Sequence, residues 1–193
     1  MLTTARLQLR DYEEDDWRRV HEYASDAEVC RYMEWGPNSA DDTREFIRSA
    51  MESRRESPCR QWALALTLRS DGTLIGGCGL DIRPHAQGVI GYCLHPDFWG
   101  QGYATEAARA LCGMGLRTLG LHRIFATCRP ENPASARVME KVGMTREGLL
   151  REHLHYKGVA SRYAMEPLSI GRAISFVAVV MAYMPMRIRY SRL

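Results

Sequence analysis

Apolar positions along this chain recur with two spacings, one typical of strands and one typical of helices. Leu7 and Leu9 alternate with polar neighbours in RLQLR, which predicts a half-buried first strand. Apolar stretches at 62–69, 74–80 and 89–94 predict three more strands, and the turn residues SDGT join the first two of them as a hairpin. The first half of the chain therefore predicts a sheet.

Helical patterns lie between and after these strands. The acidic stretch EEDDW opens a helix that runs through Tyr23, since acidic side chains suit the positive N-terminal end of a helix. Ser39 or Asp41 is placed to cap a second helix. The remaining predicted elements are, in chain order, a helix over 104–120, a strand over 122–128, a helix over 133–142, and strands over 149–156 and 161–168. This order predicts an α/β (α+β) fold in which a mixed sheet carries helices on its faces.

Composition narrows the class of protein. With 193 residues, 46% of them hydrophobic and 25% charged, the chain fits one globular domain or one domain with an appendage. The formal net charge is +3 and the basic residues are scattered, which argues against nucleic acid as a partner. The six cysteines lack metal-ligand spacing and predict buried, reduced thiols and no metal site. The first residues show no secretory signal, so we expect a cytoplasmic protein.

The stretch HPDFWGQGYATEA, starting at His95, places two glycines where a predicted strand gives way to a predicted helix. Strand, glycine turn and helix together present free backbone N–H groups to an anion, and the helix dipole adds attraction at the same point. The P-loop pattern fails because no Gly-Lys-Ser/Thr follows, and the dinucleotide pattern fails because the third glycine is missing. A tight connection without a ligand is the alternative interpretation.

A second segment, ENPASARVMEKVGM, places Asn132 at the end of a predicted strand and Ser135 one helical turn later. An asparagine side chain both donates and accepts hydrogen bonds, which suits recognition of a ligand's amide groups. The alternative is that both residues only cap the helix that follows.

The stretches RLQLR, GYCLHPDFWGQGYATEA and NPASARVMEKVGM together resemble the GNAT acetyltransferases. The resemblance is strongest to the RimJ/RimL branch, which acetylates protein N-termini. The resemblance covers roughly residues 2–156, and the three motifs occur in the family's order and spacing. It implies a GNAT-like fold, with a mixed, mostly antiparallel sheet flanked by helices on both faces. We assign residues 1–168 to this domain and residues 169–193 to an atypical basic and apolar tail.

The resemblance also implies that the chain binds acetyl-CoA as a cosubstrate. The main chain of Cys93, Leu94 and His95 would bind the pantetheine arm, and Asn132 would meet its amides. The backbone amides implied to hold the pyrophosphate are those of Gly100, Gln101, Gly102, Tyr103, Ala104 and Thr105.

Two residues receive catalytic roles. Ser135 falls where this branch has a hydroxyl near the CoA sulfur, which makes it the candidate acid for the departing thiolate. Many GNAT enzymes use a tyrosine four residues later, but this chain has Met139 there. The backbone amide of Leu94 is the candidate donor to the oxyanion formed during acyl transfer.

The proton acceptor is missing from its usual place. The branch often carries a glutamate on the central strand, where this chain has Val89 in GVIGY. The substitutes are a water chain or one of Glu28, Glu34, Asp97 and His95, which the sequence does not rank. An α-amine with a pKa near 8 is about one-tenth neutral at pH 7, whereas a lysine side chain near 10.4 is neutral in only about one molecule in 2,500. A site without an obvious base therefore suits α-amines.

The C-terminal segment also departs from the family pattern, since KGVASRYAMEPL holds neither the expected tryptophan nor the expected aspartate. The apolar run 173–184 would span about 18 Å as a helix, which is short of the roughly 30 Å hydrocarbon core of a membrane. Three interpretations stay open for this tail: an element packed on the domain or on a dimer partner, a membrane-surface segment, or a tail without function.

These observations predict an acetyl-CoA-dependent N-acetyltransferase that acts on a primary amine, with a protein or peptide N-terminal α-amine as the favoured acceptor. Attack would be direct, within a ternary complex of the enzyme and both substrates. The alternatives are a small-molecule amine acetyltransferase, with a polyamine or antibiotic as acceptor, and a non-catalytic acyl-CoA-binding module.

Overall fold

The computed structural model describes residues 1–156, 159–167 and 175–177. Six strands form the main sheet, and they lie side by side in the order in which they occur along the chain. All neighbours are antiparallel except the last pair, which is parallel. The strands are β1 (Leu2–Thr3), β2 (Leu7–Arg10), β3 (Gln61–Leu68), β4 (Leu74–Arg83), β5 (Gln87–Leu94) and β6 (Arg123–Phe125).

The last four strands form a separate sheet, in the order β7-β10-β9-β8. The sequence predicts one sheet, and the structure differs because β6 is only three residues long and ends the first sheet. A short strand within the predicted tail, β10, pairs parallel to β7 and antiparallel to β9. The strands are β7 (Thr145–Arg146), β8 (Gly148–Tyr156), β9 (Val159–Pro167) and β10 (Ser175–Val177).

The rest of the tail, 169–174 and 178–193, lies outside the described residues, as do residue 168 and most of the apolar run 173–184. The division of the chain at residue 168 therefore stays a prediction. Within the described ranges, no helix has both the length and the apolar character that a membrane span requires.

The predicted helices are present. Ser39 caps the second helix by accepting a hydrogen bond from the Asp42 N–H, while the Asp42 side chain accepts from the Ser39 N–H. The predicted helix 104–120 ends as a π-helical turn over Met114–Thr118. The helices are α1 (Trp17–Ala24), α2 (Ala40–Arg55), α3 (Tyr103–Gly113) and α4 (Pro133–Val142), with single 3₁₀ turns at Glu14–Asp16, Val29–Tyr32 and Pro96–Phe98.

Helices cover both faces of the main sheet, as predicted. Successive residues of a strand point to opposite faces, yet 63–67 in β3 and 74–81 in β4 are buried without interruption. The four cysteines Cys30, Cys78, Cys112 and Cys128 are buried as well, and all six thiols are free. The core therefore lies on both sides of the central strands, and it fixes β4 and β5 as a rigid frame.

Gly76 lets β4 approach β5 closely at the end of β5. It pairs with Leu94, and a β-carbon at this position would collide with the carbonyl oxygen of Cys93 and lie 2.8 Å from the Leu94 Cα. Main-chain atoms cannot rotate away as the end of a side chain can.

We expect Gly76→Ala to lower the free energy of unfolding by about 1–3 kcal/mol, because overpacking at a main-chain contact must move a strand. Urea unfolding followed by circular dichroism measures the loss. Equal stability of Gly76→Ala and the wild-type protein would contradict the close approach.

Candidate active site

The main sheet opens at the end of β5. The parallel pairing of β5 with β6 covers only Gln87–Val89 against Arg123–Phe125, whereas β5 stays paired with β4 as far as Leu94. Residues 90–94 therefore run on beyond the point at which β6 has ended. Val89, which replaces the family's glutamate, lies at the last paired position. The result is a gap between the diverging ends of two parallel strands.

The main chain of Leu94 faces this gap. The N–H of the next residue, His95, donates to the carbonyl oxygen of Ile75 on β4 at 2.9 Å. Because hydrogen-bonding direction alternates along a strand, the N–H and C=O of Leu94 point away from β4, toward the side of β6. The Trp99 indole Nε1 donates to the Leu94 carbonyl oxygen at 2.9 Å. The Leu94 N–H is thus the main-chain donor aimed into the gap.

The same alternation turns the main chains of the two neighbouring candidates, Cys93 and His95, toward β4. The His95 ring lies against the surface: its Nδ1 accepts from the Asp97 N–H at 3.3 Å, and its Nε2 lies 3.8 Å from a Glu22 carboxylate oxygen. Of the three residues expected to bind pantetheine through their main chain, the geometry favours Leu94.

The glycine turn that follows has the expected backbone. Gly100 and Gly102 have φ of 73° and 84°, a region that residues with a β-carbon rarely adopt. A β-carbon on Gly100 would meet nothing within 4 Å, so the space beside it is open. Gly102 is the N-cap of α3, and no side chain caps the helix. The first N–H groups of α3 are therefore left for an anion or for water.

Arg6 holds this turn through contacts with three of its residues. Its guanidinium donates to the Gln101 carbonyl oxygen at 3.0 Å, pairs with the Glu106 carboxylate at 2.8 Å, and lies 4.3 Å from the centre of the Tyr103 ring. Burial would raise the pKa of Glu106, but hydrogen bonds from Thr4 and Arg6 outweigh it and lower that pKa. The carboxylate is thus held ionised and its charge is matched by Arg6.

A cleft of about 640 Å³ lies beside the turn and α3. Its lining includes three cationic side chains, those of Arg6, Arg109 and Lys141. The lining residues are Thr3, Thr4, Arg6, Gly102, Thr105, Glu106, Arg109, Ala110 and Lys141. Gly102 and Thr105 are thus the two turn candidates on its wall, while Tyr103 and Ala104 pack partly against the core.

Asn132 and Ser135 meet at the start of α4. The Asn132 Oδ1 accepts the Ser135 N–H at 3.1 Å, so Asn132 caps the helix and its amide NH₂ is left to donate. Ser135 is only 8% exposed, and Met139, one turn further, belongs to the core.

The sequence does not single out Tyr92, which the structure joins to Ser135. The Tyr92 hydroxyl lies 3.0 Å from the Ser135 Oγ and 3.1 Å from the Ser135 carbonyl oxygen. Burial raises the pKa of Tyr92 above its ordinary value, against the smaller lowering effect of the Ser135 hydrogen bond, so the phenol stays protonated. The sequence held one signal for Tyr92, its spacing from Leu94. The two residues are two apart on one strand, so their side chains share a face.

The chemistry available here is that of backbone donors and neutral hydroxyls. Within the described part of the chain, no group of three or more His, Cys, Asp or Glu side chains is arranged to hold a metal ion.

The chain is similar in sequence to known proteins. A family model described as the acetyltransferase (GNAT) domain matches residues 6–145. An uncharacterized N-acetyltransferase of Bacillus subtilis, YnaD, is 37% identical over 153 residues, which is 78% of this chain and 86% of that protein. The spermidine N(1)-acetyltransferase of Escherichia coli is 26% identical over 159 residues, 79% of this chain and 80% of that enzyme.

Solved structures show the same fold. A GNAT-family acetyltransferase from Bacillus anthracis superposes with a TM-score of 0.76 at 33% identity, covering 84% of this chain and 94% of that one. RimL, a ribosomal L7/L12 α-N-protein acetyltransferase solved with coenzyme A, gives a TM-score of 0.75 at 21% identity, covering 86% and 94%. The chain described here belongs to the GNAT family of acetyltransferases.

Proposed function

We propose that this N-acetyltransferase uses acetyl-CoA to acetylate a protein or peptide N-terminal α-amine by direct attack in a ternary complex. The observation that carries the proposal is the gap beyond Val89, with the Leu94 N–H aimed into it and the uncapped start of α3 beside it. Acetyl-CoA supplies the thioester whose acyl carbon the amine attacks. The work of the chain is to bind, to orient and to move protons.

The glycine turn fits a pyrophosphate. Open space beside Gly100, positive φ at both glycines and free N–H groups at the start of α3 form a cradle for negative charge. On this assignment Gly100 to Thr105 hold the phosphates mainly through backbone amides. Arg6 supports the turn through its hydrogen bond to the Gln101 carbonyl oxygen, and Glu106 matches its charge.

The Leu94 amide serves the acyl end of the site. The Trp99 indole occupies the carbonyl side of this residue and so fixes the orientation of its main chain. A fixed N–H donor stabilises the oxygen on which negative charge develops, because it needs no reorientation during the reaction.

Ser135 and Tyr92 serve the departing thiolate. When the Tyr92 hydroxyl donates to the Ser135 Oγ, the serine proton is free for the CoA sulfur. When Tyr92 donates to the Ser135 carbonyl instead, its oxygen accepts from Ser135 and withdraws that proton. The pair is thus a hydroxyl relay that stays neutral, because burial keeps Tyr92 protonated.

The acceptor class rests on two observations. RimL, which shares the fold, acts on an α-amine, and an α-amine is about 250 times more often neutral at pH 7 than a lysine side chain. The spermidine acetyltransferase of Escherichia coli supports polyamines as the second candidate, since its similarity covers 79% of this chain.

Thiol release from acetyl-CoA separates the two acceptor classes. The acceptors are a peptide bearing only a free α-amine, a peptide bearing only a lysine amine, and spermidine. Equal rates with both peptides would overturn the α-amine assignment, and release with none of the three would leave an acyl-CoA-binding module.

Gly100→Ala tests the phosphate cradle. A β-carbon at φ 73° strains the turn by about 1–2 kcal/mol and tilts the amides, so we expect CoA binding measured by calorimetry to weaken about tenfold or more. Gly72→Ala is the matched control: its φ is 77° and its surroundings are equally open, but it lies in the β3–β4 turn. It should show the same loss of stability with unchanged CoA affinity. Equal CoA affinity in the two variants would exclude the turn from the binding site.

Removal of single hydroxyl groups tests the relay. We expect Ser135→Ala to lower kcat about 100-fold, as loss of a general acid does, and Tyr92→Phe to lower it by a smaller factor. The KM for acetyl-CoA should change little, and the double variant should be no slower than Ser135→Ala, because Tyr92 acts through Ser135. A wild-type kcat in Ser135→Ala would leave Ser135 as a buried helix residue only.

A further inference from the structure

The sequence offers four side chains as candidates to replace the glutamate that is absent from β5, and the structure distinguishes among them. Glu28 is exposed, and the side chain of Asp97 is 76% exposed. The His95 ring lies between the carboxylates of Glu22 and Asp97 and accepts the Asp97 N–H. Glu34 differs from all of these: it is half-buried, and its Oε1 is buried without a hydrogen-bond partner in the described structure.

Its neighbours in sequence hold Glu34 firmly. Met33 and Trp35, on either side, are only 8% and 7% exposed and belong to the core. The loop then folds back, because the Asn38 N–H donates to the Ala24 carbonyl oxygen at 2.9 Å. A carboxylate oxygen fixed in this way and left unpartnered indicates a position that a ligand or a substrate completes.

The loop that carries Glu34 lies near β5 and near the segment that follows β6. Cys30, in the 3₁₀ turn that precedes it, lies close enough to Cys93 on β5 to contribute to the pKa of that thiol, which burial raises. Glu34 itself lies within the electrostatic reach of Arg129, which follows β6 on the other side. The two strands whose ends border the gap, β5 and β6, are thus the ones that this loop lies near.

We propose that Glu34 is the carboxylate that accepts the proton of the acceptor's ammonium group, directly or through one water molecule. This inference rests on the proposed function. The ammonium N–H bond breaks, Glu34 becomes a neutral acid, and the free amine forms its N–C bond as the C–S bond breaks. The second nitrogen proton ends on the CoA sulfur by way of Ser135 or solvent, and Glu34 returns its proton to water.

The environment of Glu34 suits this task. Burial raises its pKa, and Arg129 opposes that rise, being the charged group that acts on Glu34 from the segment after β6. A carboxylate whose pKa lies above its ordinary value is the stronger base, and its pKa lies nearer to that of the amine. Since the base works in its ionised form, activity should rise as the pH passes that pKa.

Glu34→Gln tests the proposal, with Glu28→Gln as the control that makes the same change at an exposed carboxylate before the same loop. The probes are a heptapeptide with a free N-terminal alanine, its lysine-only counterpart and spermidine, assayed by thiol release between pH 6 and 9. For the best acceptor we expect Glu34→Gln to lower kcat/KM at pH 7 by 100-fold or more, with the KM for acetyl-CoA within threefold of wild type. The defect should shrink as the pH approaches the pKa of the amine, because the neutral amine then needs no base. Glu28→Gln should match the wild type.

Thermal unfolding separates this role from a structural one. The pKa of Glu34 is higher in the folded than in the unfolded chain, so its charged form destabilises the fold at a pH above both values. Glu34→Gln should therefore keep or raise the Tm at pH 8, and any gain should disappear below the unfolded pKa of about 4.3.

The possible outcomes are distinguishable. An active wild type with unchanged kcat/KM in Glu34→Gln overturns the base assignment and leaves the proposed function standing. A loss of activity that comes with a lower Tm at every pH overturns it in favour of a structural role. A wild type that releases thiol with none of the three probes overturns the proposed function and this inference with it.

Discussion

The divergence of β5 from β6 is the constraint on which the rest of the site depends. A strand that loses its neighbour leaves backbone N–H and C=O groups without ladder partners, and such groups must be satisfied in some other way. At Leu94 the Trp99 indole satisfies the carbonyl, while the N–H faces the gap. The fold thus creates a directed donor, while β5 stays paired with β4 as far as Leu94, where Gly76 allows a close approach of the two strands.

The glycine turn depends on a distant part of the chain. Arg6, beside β2, holds the Gln101 carbonyl and packs over the Tyr103 ring, while Glu106 matches its charge and also takes the Thr4 hydroxyl. Two glycines at positive φ would by themselves give a loose connection. The contact with the N-terminal strand region turns them into a turn of fixed shape, and a fixed shape lets backbone amides bind an anion without a large loss of entropy.

Local signals in the sequence predicted most of the elements. Alternation at Leu7 and Leu9 and the cap at Ser39 needed only neighbouring residues, and both are confirmed. The strand predicted over 122–128 covers only Arg123–Phe125 in the structure. Its apolar pattern continues past Phe125, but β5 has diverged there, and the local sequence carries no sign of that divergence. The link between Tyr92 and Ser135 joins residues 43 apart, and the distinct position of Glu34 is a matter of burial, so both needed the tertiary structure.

On the proposed assignments, proton transfer is divided between two chemically different groups. Ser135 and Tyr92 form a neutral pair: burial raises the pKa of Tyr92, so both hydroxyls are protonated and the pair can lend a proton to a thiolate. Glu34 is the charged partner, and the Arg129 charge limits the cost of burying it. A thiolate needs an acid and an ammonium needs a base, and these assignments give the two tasks to different residues. The absence of a glutamate at Val89 is therefore compatible with catalysis, since on these assignments the loop that carries Glu34 supplies a carboxylate.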